Sequence, residues 1–299
     1  MKIAYLILAH KDPKHLARLV RSLSTPNSYF FIHIDKKSDI DDFNNIASTN
    51  VFFSKERVPV YYDYSLVEAM FILLHNALMH MHCFDYLVRL NGVDYPIQPA
   101  SYIDAFFHKN FGKEFMEIMP THSGDAEFPM RRLVKFELRQ NASKGEELIF
   151  NSLSYLGIKP NRMKKFLRFN LKPYWGSAFW ALTRGACEYI RCFAAANPKV
   201  TEFFKHTHIP CEMIFQIILG NSPYINKMAS NLHYIDWSDK KRHPPELTEK
   251  HLSFFSSSLA VKTEDKEFLF ANKFSSKNED LVDHLDQIIK DKAKIYNKQ

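Results

Sequence analysis

Apolar and polar positions along this chain switch between two periods. KIAYLILAH (residues 2–10) is an almost unbroken apolar run with partly β-branched content, which predicts a buried strand. Asp12-Pro13 reads as a helix start, and HLARLVRSL (15–23) sets Leu16, Leu19, Val20 and Leu23 on one face. YFFIHID (29–35) predicts a second strand ending at Asp35, SDIDDFNNIAS a short helix, and NVFFS (50–54) a third strand. SLVEAMFILLHNALMH (65–80) has the helical period, and FDYLVRLNGVDYPI (84–97) is a fourth strand that breaks at Asn91-Gly92. Strands alternating with helices predict a parallel, doubly wound start.

Beyond it, PASYIDAFFHKN (99–110) reads as a helix and KEFMEIMP (113–120) as a strand. Residues 121–172 are polar and basic with weaker periodicity, and predict helices and loops. WGSAFWALTR (175–184) alternates like a strand, with GACEYIRCFAAANP as the helix behind it. HIPCEMIFQIILGNS (208–222) predicts one helix with Pro210 in its first turn. NLHYIDW (231–237) is a late strand, and FLFANKF (268–274) precedes an amphipathic helix from about Asp280. No repeat and no linker interrupts this order, so the expectation is one α/β domain with a mostly parallel sheet. Ligands of such sheets sit outside the C-terminal strand ends, which brings His10, Asp35 and Asn91–Asp94 to one edge.

Composition narrows the classes. Hydrophobic residues make up 46%, with 26 Phe and 14 Tyr, enough for a packed core rather than disorder. The 8 glycines form neither G-x-G-x-x-G nor G-x-x-x-x-G-K, which leaves dinucleotide and P-loop sites without support. A net charge of +7 fits an ordinary solvated surface, an anionic substrate or an anionic membrane face. No zinc-finger spacing or RNA-binding aromatic motif supports nucleic acid. Cys83, Cys187, Cys192 and Cys211 make no C-x-x-C and read as reduced, buried thiols of a cytosolic protein. No apolar run reaches membrane-spanning length.

The residues able to carry chemistry each have a plainer alternative. Asp35, at a strand end before Lys36-Lys37, suits a ribose or base edge, or a turn. Asp39-Ile40-Asp41 is formally a D-x-D but lies in a helix-start run, where acids favour the helix dipole. Asp94 is a single carboxylate, too few for a dedicated Mg²⁺ or Mn²⁺ site. Glu212, beside Pro210 in a predicted first turn, suits a general base or simple charge complementation. Lys273 suits a phosphate or plain solvent, and the pairs Arg131-Arg132 and Arg242-His243 share that ambiguity. Trp175, Trp180 and Trp237 offer faces for a sugar ring or for the core. HMHC (80–83) reads as packing rather than zinc ligation.

Seven stretches together carry a resemblance: AYLILAHKDPKHLARLVRSL, YFFIHIDKKSD, DYLVRLNGVDYPI, YWGSAFWALTR, IPCEMIFQIILGNS, NLHYIDW and LFANKF. In order, over residues 4–274, they resemble the core-2/I-branching β-1,6-N-acetylglucosaminyltransferase family, which also contains peptide O-xylosyltransferases. Residues 121–172 match poorly, and that is where acceptor choice would be written. The resemblance implies a single GT-A-like domain: a nucleotide-binding half (1–120), an acceptor-side half with the catalytic base (121–279) and a C-terminal helix (280–299). It implies inverting transfer from a UDP-sugar, with GlcNAc expected, and no divalent metal or other cofactor.

Site residues follow by the same resemblance. The lysine of the family's F-A-[RN]-K-F motif falls on Lys273, expected at the diphosphate, with Arg242 or His243 in KKRHPPELT as its partner. The P-D-E motif appears as Pro210-Cys211-Glu212, which makes Glu212 the expected base and puts in doubt a contact made by the replaced Asp. His10, Asp35 and the pair Tyr64-Ser65, which matches a W-S-like motif, belong to the nucleotide side. Glu117 falls on an acceptor-binding glutamate and Trp237 on an aromatic near the sugar. Asp94, Arg131, Arg132 and Trp175, chosen on their residue type and place rather than on the resemblance, complete the expected acceptor-side set. The chemistry agrees, since a single displacement needs a carboxylate for the acceptor proton and positive charge for the departing diphosphate.

Eukaryotic members carry an anchor, a stem and disulfides. A chain that starts at its first strand resembles a bacterial, cytoplasmic member making surface polysaccharide on glycan or lipid-linked acceptors, with a peripheral contact at the inner membrane face. NRMKKFLRFNLKPYW (161–175) suits an anionic membrane face, or is simply an exposed basic helix. Two other functions compete: a metal-dependent transferase using Asp94 with a carboxylate from elsewhere, and a non-catalytic glycan- or nucleic-acid-binding protein.

Overall fold

The computed structural model describes the chain except residues 122–126, 141, 157–160, 239–243, 258–259, 264–265, 297 and 299. The first half runs β1 (Ile3–Ala9), α1 (Pro13–Leu23), β2 (Ser28–Ile34), β3 (Val51–Phe53), α2 (Ser65–Leu78), β4 (Tyr86–Asn91), β5 (Asp94–Pro96), α3 (Ala100–Lys109), β6 (Glu114–Met116) and β7 (Met119–Pro120). Helices α4 (Glu127–Val134), α5 (Lys144–Tyr155) and α6 (Arg162–Leu167) follow, then β8 (Tyr174–Trp175), β9 (Trp180–Thr183), α7 (Arg184–Ala196), α8 (Pro198–Phe204) and α9 (Ile214–Gly220). The chain closes with β10 (Met228–Ala229), β11 (His233–Ile235), α10 (Leu252–Ser256), β12 (Phe270–Asn272) and α11 (Glu279–Tyr296).

Among the described residues the main sheet has seven strands in the order β10-β6-β9-β4-β1-β2-β3, with β9 antiparallel to both its neighbours. β1 lies at its centre, paired in parallel with β2 and β4, and all seven of its residues are buried. Its alternate side chains enter two cores. Ile3, Tyr5, Ile7 and Ala9 join the apolar faces of α1, α3 and α11, while Ala4, Leu6 and Leu8 join those of α2, α7 and α9. Burial on both faces is why the strand reads as a continuous apolar run. A second sheet, β11-β12-β5, sets β12 parallel to β11 and antiparallel to β5, with Asn272 opposite Asp94. This is the mostly parallel α/β architecture that the strand and helix order predicts.

Local signals act as their chemistry requires. Asp12 caps α1 by accepting from the His15 N–H at 3.2 Å, with Pro13 in the first turn. Asp39 and Asp41 sit at a short 3₁₀ turn where the Asp39 carboxylate accepts the Asp41 N–H at 3.0 Å. His80 packs among Phe31, Phe52 and Phe84.

Four expectations are corrected. KEFMEIMP is not one strand: β6 joins the seven-stranded sheet and β7 pairs with β8 in a separate two-stranded one. The run 208–222 is not one helix: Ile209 takes a left-handed φ of 45°, Pro210–Glu212 form a 3₁₀ turn, and α9 begins only at Ile214. WGSAFWALTR is two strands, because Gly176 turns the chain between β8 and β9. A Cβ there would lie 1.9 Å from the Glu117 carbonyl oxygen. The thiols are all free, but Cys83 and Cys192 are exposed. Cys192 faces away from the α7 side that buries Ala186, Cys187 and Ile190.

The turn at Gly176-Ser177 is clamped. The Gly176 N–H donates to the Glu212 carbonyl at 3.1 Å, the Ser177 N–H to Glu117 Oε2 at 3.2 Å, and Gln216 Nε2 to the Ser177 carbonyl at 2.7 Å. On the opposite flank, the segment after β3 is tied to β2. His33 Nε2 accepts the Val58 N–H at 3.0 Å, and Arg57 donates to the carbonyls of Ile34, Asp35 and Ser38.

Two predictions follow from these contacts. Burial pushes the His33 imidazole down from 6.5 to about 4, and its acceptor role at Nε2 needs the neutral ring. The unfolded chain therefore takes this proton first as pH falls. His33 should remove about 3 kcal/mol of stability between pH 6.5 and pH 4 and nothing further below. Urea unfolding of the parent and His33→Gln across that range should show a smaller acid loss in the variant; equal slopes would refute it. Gly176→Ala should cost about 1–3 kcal/mol by forcing the clamped turn apart. Gly145→Ala, which meets nothing closer than Ser143 Oγ at 3.9 Å, should be neutral or slightly stabilising in the same assay.

Candidate active site

The edge of the sheet is organised by Asp94, which is fully buried. Its Oδ2 accepts the Asn91 N–H at 2.7 Å, and its Oδ1 accepts from Asn272 Nδ2 at 2.6 Å. His233 Nε2 stands 3.4 Å from Oδ2, and His15 Nε2 is 3.0 Å from the Asp94 carbonyl. Burial holds both imidazoles below their ordinary value. Expected on the acceptor side, Asp94 instead has both oxygens engaged within the protein. Its place is to join β4 to β12.

That junction aims Lys273. The segment after β12 is fixed on every side: the Phe274 N–H donates to the Val93 carbonyl at 2.8 Å, the Leu247 N–H to the Lys273 carbonyl at 2.9 Å, and the Ser276 N–H to Asp12 Oδ2 at 2.7 Å. The Lys273 side chain is half-buried on this anchored backbone. β11 runs beside β12 with Ile235 opposite Asn272, so Trp237 leaves the neighbouring strand at the same end, and its side chain is exposed. The adjacent Asp236 is buried and held 3.0 Å from His251 Nε2.

Glu212 lies on the 3₁₀ turn before α9, not in the first turn of an α-helix, so its charge is met by a side chain rather than a helix dipole. Arg132 of α4 donates from Nη1 to Glu212 Oε2 at 2.6 Å. The arginine side chain is 6% exposed and that of Glu212 31%, so the carboxylate is fixed from the protein side and open on the other. Beneath them, Arg89 of β4 is buried and donates to the Ala178 carbonyl. Burial lowers its pKa against the opposing pull of Cys211, Asp94 and Glu212, which places both carboxylates within electrostatic reach of one guanidinium. Burial also pushes the Cys211 thiol up to about 11, so the group standing where an Asp was expected is neutral.

Glu117 faces this turn from the β6–β7 connection, with Oε2 on the Ser177 N–H and Oε1 3.0 Å from Lys266 Nζ. Trp175 is half-buried in β8 opposite Met119. Arg131 points outward from α4, unlike its neighbour Arg132.

On the nucleotide side, His10 is exposed just past β1 and Asp35 is buried just past β2, its N–H donating to the Ala9 carbonyl at 2.8 Å. Lys37 Nζ is 3.2 Å from Asp35 Oδ2 and 3.7 Å from the Tyr61 ring centre. Ser65 is buried, with its hydroxyl donating to Asp63 Oδ1 at 2.5 Å and accepting the Tyr61 N–H at 2.8 Å; its hydrogen bonds shape the loop before α2. Tyr64 lines a separate cavity of about 380 Å³ with Glu56, Glu68, His75 and Lys205. Arg242 and His243 lie outside the described residues.

Arg89, Asn272 and Lys266 were not anticipated. A lone arginine inside the apolar run YLVRLN was the available signal for Arg89, because unpaired charge is rare in a buried strand. Nothing local marked Lys266. Among the described residues no three His, Cys, Asp or Glu side chains are grouped to hold a metal ion.

Comparison with known proteins identifies the family of the chain. A sequence profile described as Core-2/I-Branching enzyme matches residues 3–255. Xylosyltransferase 2 of Rattus norvegicus is 24% identical over 252 residues, covering 80% of this chain and 27% of the relative. The beta-1,3-galactosyl-O-glycosyl-glycoprotein beta-1,6-N-acetylglucosaminyltransferase 4 of Mus musculus is 25% identical over 299 residues, covering 92% of this chain and 62% of the relative. The chain thus spans about a quarter to a third of the length of the xylosyltransferases it matches. Among solved structures, mouse xyloside xylosyltransferase 1 in its apo form aligns over 90% of this chain and 97% of its own, with a TM-score of 0.36 and 9% identity. With 253 consecutive positions matched to its profile, the chain belongs to the Core-2/I-branching enzyme family.

Proposed function

We propose that the chain is an inverting glycosyltransferase that moves a sugar from a UDP-sugar to a glycan hydroxyl without a divalent metal. One observation carries the reading. A carboxylate held by an arginine, Glu212 on Arg132, and a lysine on an anchored backbone, Lys273 next to the Asp94–Asn272 link, supply the two charges that the reaction needs. Residues 1–120 then hold the nucleotide, residues 121–279 the acceptor and the base, and residues 280–299 form the closing helix. The acceptor oxygen attacks the anomeric carbon as the bond from that carbon to the diphosphate breaks. The hydroxyl proton passes to Glu212, and UDP departs with its negative charge against Lys273. Arg132 sets the direction of the carboxylate by occupying Oε2 and leaving Oε1 toward the open side. His10 and Asp35 face the nucleoside, while Glu117 and Trp237 flank the acceptor and the transferred sugar. GlcNAc is the donor sugar of this reading, with xylose the competitor that relatives' names supply. The acceptor is a surface polysaccharide or its lipid-linked precursor.

The reading is tested in two steps. UDP titrated calorimetrically in EDTA and in Mn²⁺ should bind equally; binding that requires Mn²⁺ would replace the lysine with a metal. Glu212→Gln should keep UDP affinity within about threefold and lower turnover a hundredfold or more, the range for loss of a general base. Lys273→Ala should weaken UDP about tenfold to a hundredfold, as expected for one charged hydrogen bond. Turnover of Glu212→Gln near that of the parent would remove the base from the mechanism.

A further inference from the structure

Helix α5 is amphipathic with its apolar side turned outward. Leu148, Ile149, Tyr155 and, just beyond the helix, Leu156 recur at i, i+1, i+7 and i+8 and form one stripe. Their exposures are 69%, 62%, 92% and 67%, where scattered surface leucines would need no comment but a continuous stripe does. The helix rests on the protein through its other side, where Phe150 stacks on Phe136 at 5.5 Å. Phe136 is also the aromatic floor of a cavity of about 360 Å³ that α6 borders with Arg162 and Lys165. Arg162 is buried there with oxygen partners that are all neutral: the Leu133 and Phe203 carbonyls and the Thr207 hydroxyl. Lys164, Lys165, Arg168 and Lys172 are exposed, and so is Leu167 between them.

We propose that α5 and α6 form a docking face for an anionic phospholipid bilayer, with the α5 stripe entering the interface and the α6 basic groups meeting the headgroups. Charge complementarity selects this occupant. Among the described residues of 144–172, five basic side chains, Lys144, Lys164, Lys165, Arg168 and Lys172, are exposed against two acidic ones, Glu146 and Glu147. A protein partner for an apolar stripe needs no such surplus, whereas an acidic membrane surface attracts each nearby lysine or arginine. α6 packs on α4, the helix that delivers Arg132 to Glu212, so a docked face sets the acceptor side of the candidate active site next to the bilayer. The face does not depend on the catalytic reading, and its failure is separable from a failure there.

The test sediments the purified chain with phosphatidylcholine vesicles, with and without phosphatidylglycerol. Binding should be roughly tenfold or more tighter to the anionic vesicles and should weaken at high salt. Leu148→Ser, Ile149→Ser and Leu156→Ser together should lose that binding, and so should Lys164→Ala, Lys165→Ala and Arg168→Ala together. Both variants should retain the parent's thermal midpoint and UDP affinity. Equal binding to neutral and anionic vesicles, or variants that bind like the parent, would overturn the proposal. So would a concentration-dependent dimer abolished by the serine substitutions, which would assign the stripe to a second copy.

Discussion

A carboxylate with no access to water governs the geometry of this protein's sheet edge. Burying Asp94 costs several kcal/mol unless its oxygens are met by donors in good geometry. The donors come from two places that the chain separates widely: the Asn91 backbone at the end of β4 and the Asn272 side chain at the end of β12. Satisfying Asp94 therefore means docking the three-stranded sheet against the seven-stranded one in one register. Asn272 falls opposite Asp94, and Lys273 emerges at the edge where β1, β2 and β4 end. Breaking either bond would leave a charge stranded in the core, which is why so small a contact fixes so large a relationship.

Arg89 answers the same constraint from the other sign. A buried guanidinium needs negative charge nearby, and the carboxylates of Asp94 and Glu212 both supply it at reach. The Ala178 carbonyl and the Cys211 side chain lie against the guanidinium, and the two acids act on it without a direct hydrogen bond among the described contacts. Both acids thus act on one buried side chain.

The strands and helices of residues 1–110 were legible in the sequence because most stretches have a single period and a clear terminator. β1 reads as an apolar run since both its faces are covered, and α1 opens at a cap and a proline. Where the reading failed, the deciding contact was distant. Gly176 turns the chain because the Glu117 carbonyl occupies its side-chain space, a contact 59 residues away that no local pattern announces. The helix expected from 208 breaks at Ile209–Glu212 although its composition stays apolar. Glu212 was found by resemblance, but Arg132 was separable from Arg131 only by burial, since adjacent helical positions face about 100° apart. Asp94 was singled out for the right position and the wrong access: sequence shows a carboxylate at a strand end, not whether its oxygens are already engaged.

The contrast between the two sides of the site has one physical origin. The edge that bears Asp35, Asp94 and Lys273 rests on the most deeply buried strands, where a shift in any residue disturbs neighbours on two faces. The opposite side is built from α4, α5 and α6, short helices that meet the core through a few residues such as Leu133, Phe166 and Arg162. Exposed side chains there meet solvent rather than packing, around the buried Arg132 that reaches Glu212. A surplus of positive charge on such a loosely constrained surface carries no penalty for folding. The outward-turned stripe of α5 and the basic face of α6 lie on that surface, and the proposed membrane contact reads them together.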